Sequence, residues 1–246
     1  MRRHEPIFNV PGIVLVLLGV CCLVHVVRWL LPADEDAWLT AALAFIPMRL
    51  VSGVAVQLPG GEPATFTSFF THLFVHGDTM HLLVNMAWFL AFGSPVARRT
   101  DALRFVVFFA ICGAAGALFY VLVNGRVLTL VVGASGAISG LMGAAMRFFF
   151  TRLGSGQALA VGQPLHAAPL LSLPQTVRDK RILLAVGGWT ILNVLLAWGA
   201  AGLTDAAGIA WEAHVGGFYA GLLSYGLFDR QAHLDKWQDG NAAGAE

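Results

Sequence analysis

The segment VVGASGAISG, Val131 to Gly140, sets three glycines and two serines inside a run that is otherwise apolar enough to enter a membrane. Its small residues recur at helical spacing. Gly136 and Gly140 are four apart, as are Gly133 and Ala137. That spacing lets membrane helices approach closely. A serine flanked by glycines on such a face is either a packing residue or a reactive group, and the rest of the chain decides between them.

The surroundings are those of a polytopic membrane protein. Of 246 residues, 57% are hydrophobic and 12% are charged, about half the charged share of a soluble domain. A span needs about 20 mostly apolar residues. Six stretches qualify: 10–31, 80–97, 103–123, 127–150, 182–203 and 208–228. The fold class expected is therefore an all-α integral membrane protein with a six-helix bundle over 10–228. Residues 1–9 form a short leading segment, and 229–246 a polar tail. The first span follows Arg2 and Arg3 but is too long for a signal-peptide core and lacks a small-x-small cleavage site, so it reads as an uncleaved span.

Charge sets the orientation. With the N-terminus in the cytoplasm, twelve of the fifteen Arg and Lys residues fall on the cytoplasmic side, against Arg28, Arg49 and Arg126 outside. Both termini are then cytoplasmic. The outer loop 32–79 is half apolar and aromatic, which suits a segment lying in the interface. The inner connection 153–181, with GSG and prolines 164, 169 and 174, reads as a flexible linker. Net charge of +1 and the lack of a basic cluster give no sign of nucleic acid. Cys21, Cys22 and Cys112 lie in apolar runs without metal-site spacing and read as small membrane-helix residues. No internal repeat suggests an inverted-repeat transporter.

Polar groups within spans are costly and need an account. Those to explain are His81 and Asn85 in the second span, Ser135 and Ser139 in the fourth, Asn193 in the fifth and His214 in the sixth. His81 precedes Arg98 by 17 residues, Ser135 precedes Arg152 by 17, and His214 precedes Arg230 by 16. Each arginine marks the cytoplasmic end of its span. At about 1.5 Å per residue, all three polar groups stand about 25 Å above that end, at one level near the outer surface. The sixth span carries Gly217 and Gly221, four apart, with His214 on the face of Gly217. The fourth and sixth spans should pack face to face, with Ser135 opposite His214.

A serine beside a histidine in a dry site is a nucleophile with its general base. No carboxylate lies deep in a span, and Glu212, two residues from His214, points nearly the opposite way, so the expected site is a Ser–His dyad. His81 and Asn85 share a helix face. With the N–H of Ser135 at a helix start, they offer donors to a developing oxyanion. Gly133 lets backbone approach a substrate carbonyl. Taken singly, each residue reads more simply: the serine as packing, the histidine as a partner for a neighbouring helix, Asn193 as interhelical glue, Ser139 as packing. Their conjunction at one depth favours chemistry. His72, His76 and His81 raise a metal or transport alternative, but HExxH is absent and no ligand set completes it beyond Asp78, so no metal is expected. His72 and His76 are expected to make structural hydrogen bonds in the outer loop.

With HLLVN (His81 to Asn85), GASG (Gly133 to Gly136) and AHVGG (Ala213 to Gly217) in order on the second, fourth and sixth spans, the chain resembles the rhomboid intramembrane serine proteases. The resemblance implies Ser135 as nucleophile, His214 as general base and acid, and His81, Asn85 and the Ser135 N–H as the oxyanion hole. It implies a cofactor-free endopeptidase of a bacterial inner membrane. Its partners would be the bilayer and transmembrane protein substrates, cut near their outer end where small or helix-breaking residues let the strand unwind. A non-catalytic rhomboid-like protein that binds membrane proteins is the alternative. Two features depart from the family. The outer loop reads TFTSFF where many bacterial members carry a Trp–Arg pair, and position 139 is serine where some carry an aromatic that stacks on the catalytic histidine.

Overall fold

The computed structural model describes residues 10–154, 167–201 and 210–230. Residues 1–9, the linker segment 155–166, residues 202–209 between the fifth and sixth expected spans, and the tail from 231 lie outside the described part. Every regular element described is helical, and the one strand-like feature is an isolated bridge between Phe45 and Val131.

Proline starts the first two helices. It presets φ and gives up an N–H that would have no partner at a helix start anyway. Pro11 precedes α1 (Gly12–Leu30) and Pro32 precedes α2 (Ala33–Leu43), which carries Asp34, Glu35 and Asp36 in its first turn. The outer loop continues through a 3-10 turn at Pro47–Leu50 and a short α3 (Ala64–Thr71). Asp78 caps α4 (Thr79–Trp88), which runs through a π turn at Phe89–Gly93 into α5 (Ser94–Ala97). The π turn has a local cause. Pro95 lacks an N–H and its ring crowds the carbonyl four residues back, so the helix widens there instead of breaking. Asp101 caps α6 (Ala102–Asn124), and Gly125, at φ +74°, ends it. Then follow α7 (Ser135–Gly154), α8 (Leu173–Arg178), α9 (Lys180–Ala201) and α10 (Trp211–Ser224).

Among the described residues, three helical stretches are long and apolar enough to cross a membrane: Gly12–Leu30, Thr79–Ala97 and Ala102–Asn124. Helices also form in the other three stretches expected to span, with different bounds. The fourth begins at Ser135 rather than 127, because residues 127–134 are not helical and bond the outer loop through Phe45–Val131 and Met48–Val127 backbone bonds. α7 is rich in glycine, alanine and serine. It sits at the centre of the bundle, mostly buried by protein, so few of its side chains have to face lipid.

The centre is a three-helix contact of α6, α7 and α10, and its tightness comes from glycine. A Cβ on Gly217 would stand 2.0 Å from the Gly136 carbonyl oxygen, and one on Gly221 the same distance from that of Gly140. A Cβ on Gly116 would stand 2.5 Å from the Ala213 carbonyl. The helices touch backbone to backbone, as the four-residue spacing of small residues predicts.

At the end of the bundle away from Ser135, charge is buried. Arg99 donates to Asp229 at 2.6 and 2.8 Å and to the Ala168 carbonyl, and its guanidinium lies over the Phe148 ring. Arg147 donates to the carbonyls of Leu171 and Leu222. The Arg230 N–H bonds the Arg99 carbonyl. Residues 167–181, read from sequence as loose linker, are therefore fastened to the bundle, and α8 starts with a full capping box of Ser172 and Gln175. Asp229, assigned from sequence to the tail, is wholly buried.

Candidate active site

The site is assembled from four helix segments and one non-helical stretch of chain. Asp78 ends the outer loop and accepts from the His81 N–H at 2.8 Å, which fixes His81 in the first turn of α4. The turn ahead of it is braced by α1. Arg28 donates to the His76 carbonyl and to Asp36, and His25 shares a hydrogen with Thr79 at 3.1 Å. Arg28, placed by charge on the outer side, is pinned against this turn. The Gly77 N–H donates to His81 Nδ1 at 3.3 Å. An Nδ1 that accepts puts the ring proton of the neutral imidazole on Nε2.

That Nε2 faces Gly133. A Cβ built on Gly133 would lie 2.8 Å from His81 Nε2 and 3.7 Å from Ser135 Oγ. The space a side chain would fill is thus bordered by a ring N–H on one side and a hydroxyl on the other. Gly133 also holds φ +115°, which favours glycine, and its N–H donates to the His72 carbonyl at 2.9 Å. Two residues on, Ser135 heads α7, where its own N–H has no intrahelical acceptor and lies at the positive end of the helix.

Ser135 Oγ lies 2.8 Å from His214 Nε2. The two side chains are half-buried, and they meet because the α7–α10 contact is close enough for a short hydroxyl and an imidazole to bridge it. The structure thus brings Ser135 and His214 together and sets His81 beside them. Asn85 lies one turn below His81, buried, and donates from Nδ2 to the His81 carbonyl at 2.9 Å. It is on the expected helix face but bonds its own helix, not Ser135. Ser139 is buried on α7, a turn beyond Ser135. Glu212 turns away, as expected, and accepts from Asn124 at 2.8 Å.

Two contacts go beyond the sequence reading. The first is Asn193 on α9, whose Oδ1 lies 3.0 Å from His214 Nδ1. Reading it as interhelical glue identifies the kind of contact but not the partner. One clue was available: an amide in a span needs a partner, and the next span carries a histidine. The second concerns the outer-loop histidines. His72 makes the structural bond expected of it, through Nδ1 to the Ser68 carbonyl at 2.7 Å. His76 does not: among the described residues neither of its buried ring nitrogens has a hydrogen-bond partner of good geometry, and its ring meets that of His81 edge-on at 5.2 Å. Among the described residues, no three His, Cys, Asp or Glu gather into a set that would hold a metal ion.

A helical membrane protein carrying a hydroxyl–imidazole pair between two glycine-packed helices is the class that fold and site define. A family model described as the rhomboid domain matches residues 63–231, from just ahead of α3 to just beyond Arg230 and more than half of the chain. The chain belongs to the rhomboid family. No curated protein matches it.

Proposed function

We propose that this chain is an intramembrane serine endopeptidase that cleaves transmembrane substrates near the outer membrane face, with both of its termini on the cytoplasmic side of a bacterial inner membrane. The observation that carries this reading is the 2.8 Å contact between Ser135 Oγ and His214 Nε2. Ser135 is the nucleophile and His214 its base. Oγ attacks the substrate carbonyl carbon as its proton passes to Nε2, giving a tetrahedral oxyanion. The carbon–nitrogen bond then breaks, and His214 returns the proton to the leaving amine. Water, deprotonated by the same nitrogen, releases the acyl group and restores Ser135.

The oxyanion forms beside Gly133, where the absent side chain leaves room for a carbonyl oxygen. The His81 Nε2–H, which borders that space, and the Ser135 N–H are its donors in this reading, with Asn85 as the third. In a site with little water such donors stabilise charge far better than they do in solution. An extended substrate segment is needed to present its carbonyl, which favours sequences that leave the helix easily.

The test is cleavage of a single-span model substrate by the purified chain in detergent, with fluorophosphonate labelling of Ser135. Ser135→Ala and His214→Ala should each lower turnover by at least about 10³-fold without loss of fold. His81→Ala should lower it about 10²–10³-fold. Full cleavage by the Ser135→Ala chain sinks the reading. A wild-type chain that is neither labelled nor active, yet captures membrane proteins, points to a non-catalytic binding role.

A further inference from the structure

The geometry points to Asn193 as a positioning residue that holds His214 in the one tautomer able to take a proton from Ser135. This inference rests on the proteolytic reading of the Ser135–His214 pair. Asn193 Nδ2 donates to the Trp189 carbonyl at 2.9 Å, one turn back on α9. That bond settles which way the amide faces, because the reverse orientation would set Oδ1 against a carbonyl oxygen, acceptor to acceptor. Oδ1 therefore faces His214 Nδ1 at 3.0 Å. An amide oxygen only accepts, so Nδ1 carries the proton. A neutral imidazole has one N–H, which leaves Nε2 with a bare lone pair toward Ser135 Oγ.

The register of this contact is held by two neighbours. Trp189 stacks on Phe218 at 4.2 Å, and Thr190 Oγ1 meets the Tyr219 hydroxyl at 3.2 Å. Trp189 is four residues before Asn193 and Phe218 four after His214, so the two pairs are successive rungs between antiparallel helices. When His214 takes the serine proton, the Nδ1–H to Oδ1 bond becomes charge-assisted and strengthens, stabilising the imidazolium. The amide does the orienting work of a carboxylate without placing a formal charge among apolar helices. It also supplies the support for the ring that Ser139, in place of an aromatic, does not.

The experiment has a spectroscopic arm and a kinetic arm, both on the full chain in detergent. In ¹⁵N-histidine protein, with His214 assigned by difference from His214→Ala, the wild type should show the Nδ1–H form. Asn193→Ala should shift it toward Nε2–H. An unchanged Nδ1–H signal in folded Asn193→Ala overturns the inference. In kinetics, Asn193→Ala should lower kcat about ten- to a hundredfold, part of the 10²–10⁴ that a general base supplies, with KM within about twofold. Asn193→Asp should recover most of kcat and move the acidic limb of the profile to higher pH, since an anion beside His214 favours its protonated form. Equal losses in both variants with no displacement of the limb mark Asn193 as packing and overturn it. Failure of the proteolytic reading is separately visible, as a wild-type chain with no labelling and no cleavage, while the tautomer of His214 still reports on Asn193.

Discussion

His76 is wholly buried, its ring nitrogens have no hydrogen-bond partner of good geometry among the described residues, and its neighbour is the ring of His81. Burial pushes its pKa down to about 4, with the nearby His81 adding to the effect, and burial alone does the same to His72. Both side chains belong to the outer loop and are neutral in the folded state at pH 7. In the unfolded chain a histidine takes its proton near pH 6.5. Between about 6.5 and 4 the unfolded form therefore binds protons that the folded form refuses, and stability falls as the pH drops through that window. Thermal unfolding in detergent should show this loss, and His76→Leu should flatten it, because the apolar side chain fills the same buried place with no group that titrates. An identical slope in the variant would place the acid sensitivity elsewhere. The sequence brought His81, Ser135 and His214 to one depth because a helix rise converts residue count into height. It did not foresee His76, since nothing in residue spacing shows which loop histidine finds a carbonyl and which is stranded. It put Asn85 on the face of His81 as an oxyanion donor, and did not foresee that the Asn85 amide donates to the carbonyl of its own helix one turn back.

At the scale of elements, the contact of α7 with α10 was the most legible feature of the chain. Gly136, Gly140, Gly217 and Gly221 encode it directly, because small residues four apart have little use on a helix except to admit another backbone. The start of α7 was not legible. An apolar run from 127 looks the same whether it is helical or not, and only its bonds to Phe45 and Met48 hold it out of the helix. The glycine contact makes a sharp prediction. Gly221→Val puts a branched side chain where a Cβ alone would be 2.0 Å from the Gly140 carbonyl. The helices must separate, and Ser135 and His214 separate with them. Labelling by a fluorophosphonate should fall at least about tenfold, and the unfolding temperature should drop by several degrees, as for overpacking of about 1–3 kcal/mol or more. Gly187→Val on α9 is the control, since a Cβ there meets nothing within 4 Å. It should leave both readouts near wild type. Equal effects of the two substitutions would mean that the glycine contact does not set the distance between serine and histidine.

At the scale of the molecule, the two ends of the bundle are built on opposite principles. The serine end is polar but holds no buried ion pair among the described residues, whereas the arginine end closes on one. Arg99 and Asp229 have side chains 1% and 0% exposed. The pair ties the turn after α5 to the residues that follow α10, and the Arg99 bond to the Ala168 carbonyl draws in the chain ahead of α8. Sequence reading placed these arginines by the positive-inside rule and gave them no partner, because Asp229 lies 130 residues away at what looks like the start of a polar tail. A buried charge whose partner is removed is worse than no pair at all. Asp229→Asn keeps the shape and takes away the anion that Arg99 bonds in the core, so it should cost about 3–5 kcal/mol. Replacing both partners, as in Arg99→Met with Asp229→Leu, should recover most of that loss, because the cost lies in keeping one charge of the pair buried rather than in the missing attraction. The serine end does not touch this pair. At low temperature, where the Asp229→Asn chain is still folded, fluorophosphonate labelling of Ser135 should proceed within about twofold of wild type, even as the unfolding temperature falls. A parallel loss of labelling in the folded variant would show that the two ends are coupled through α7 and α10, and that the ion pair sets the geometry of the serine as well as the stability of the bundle.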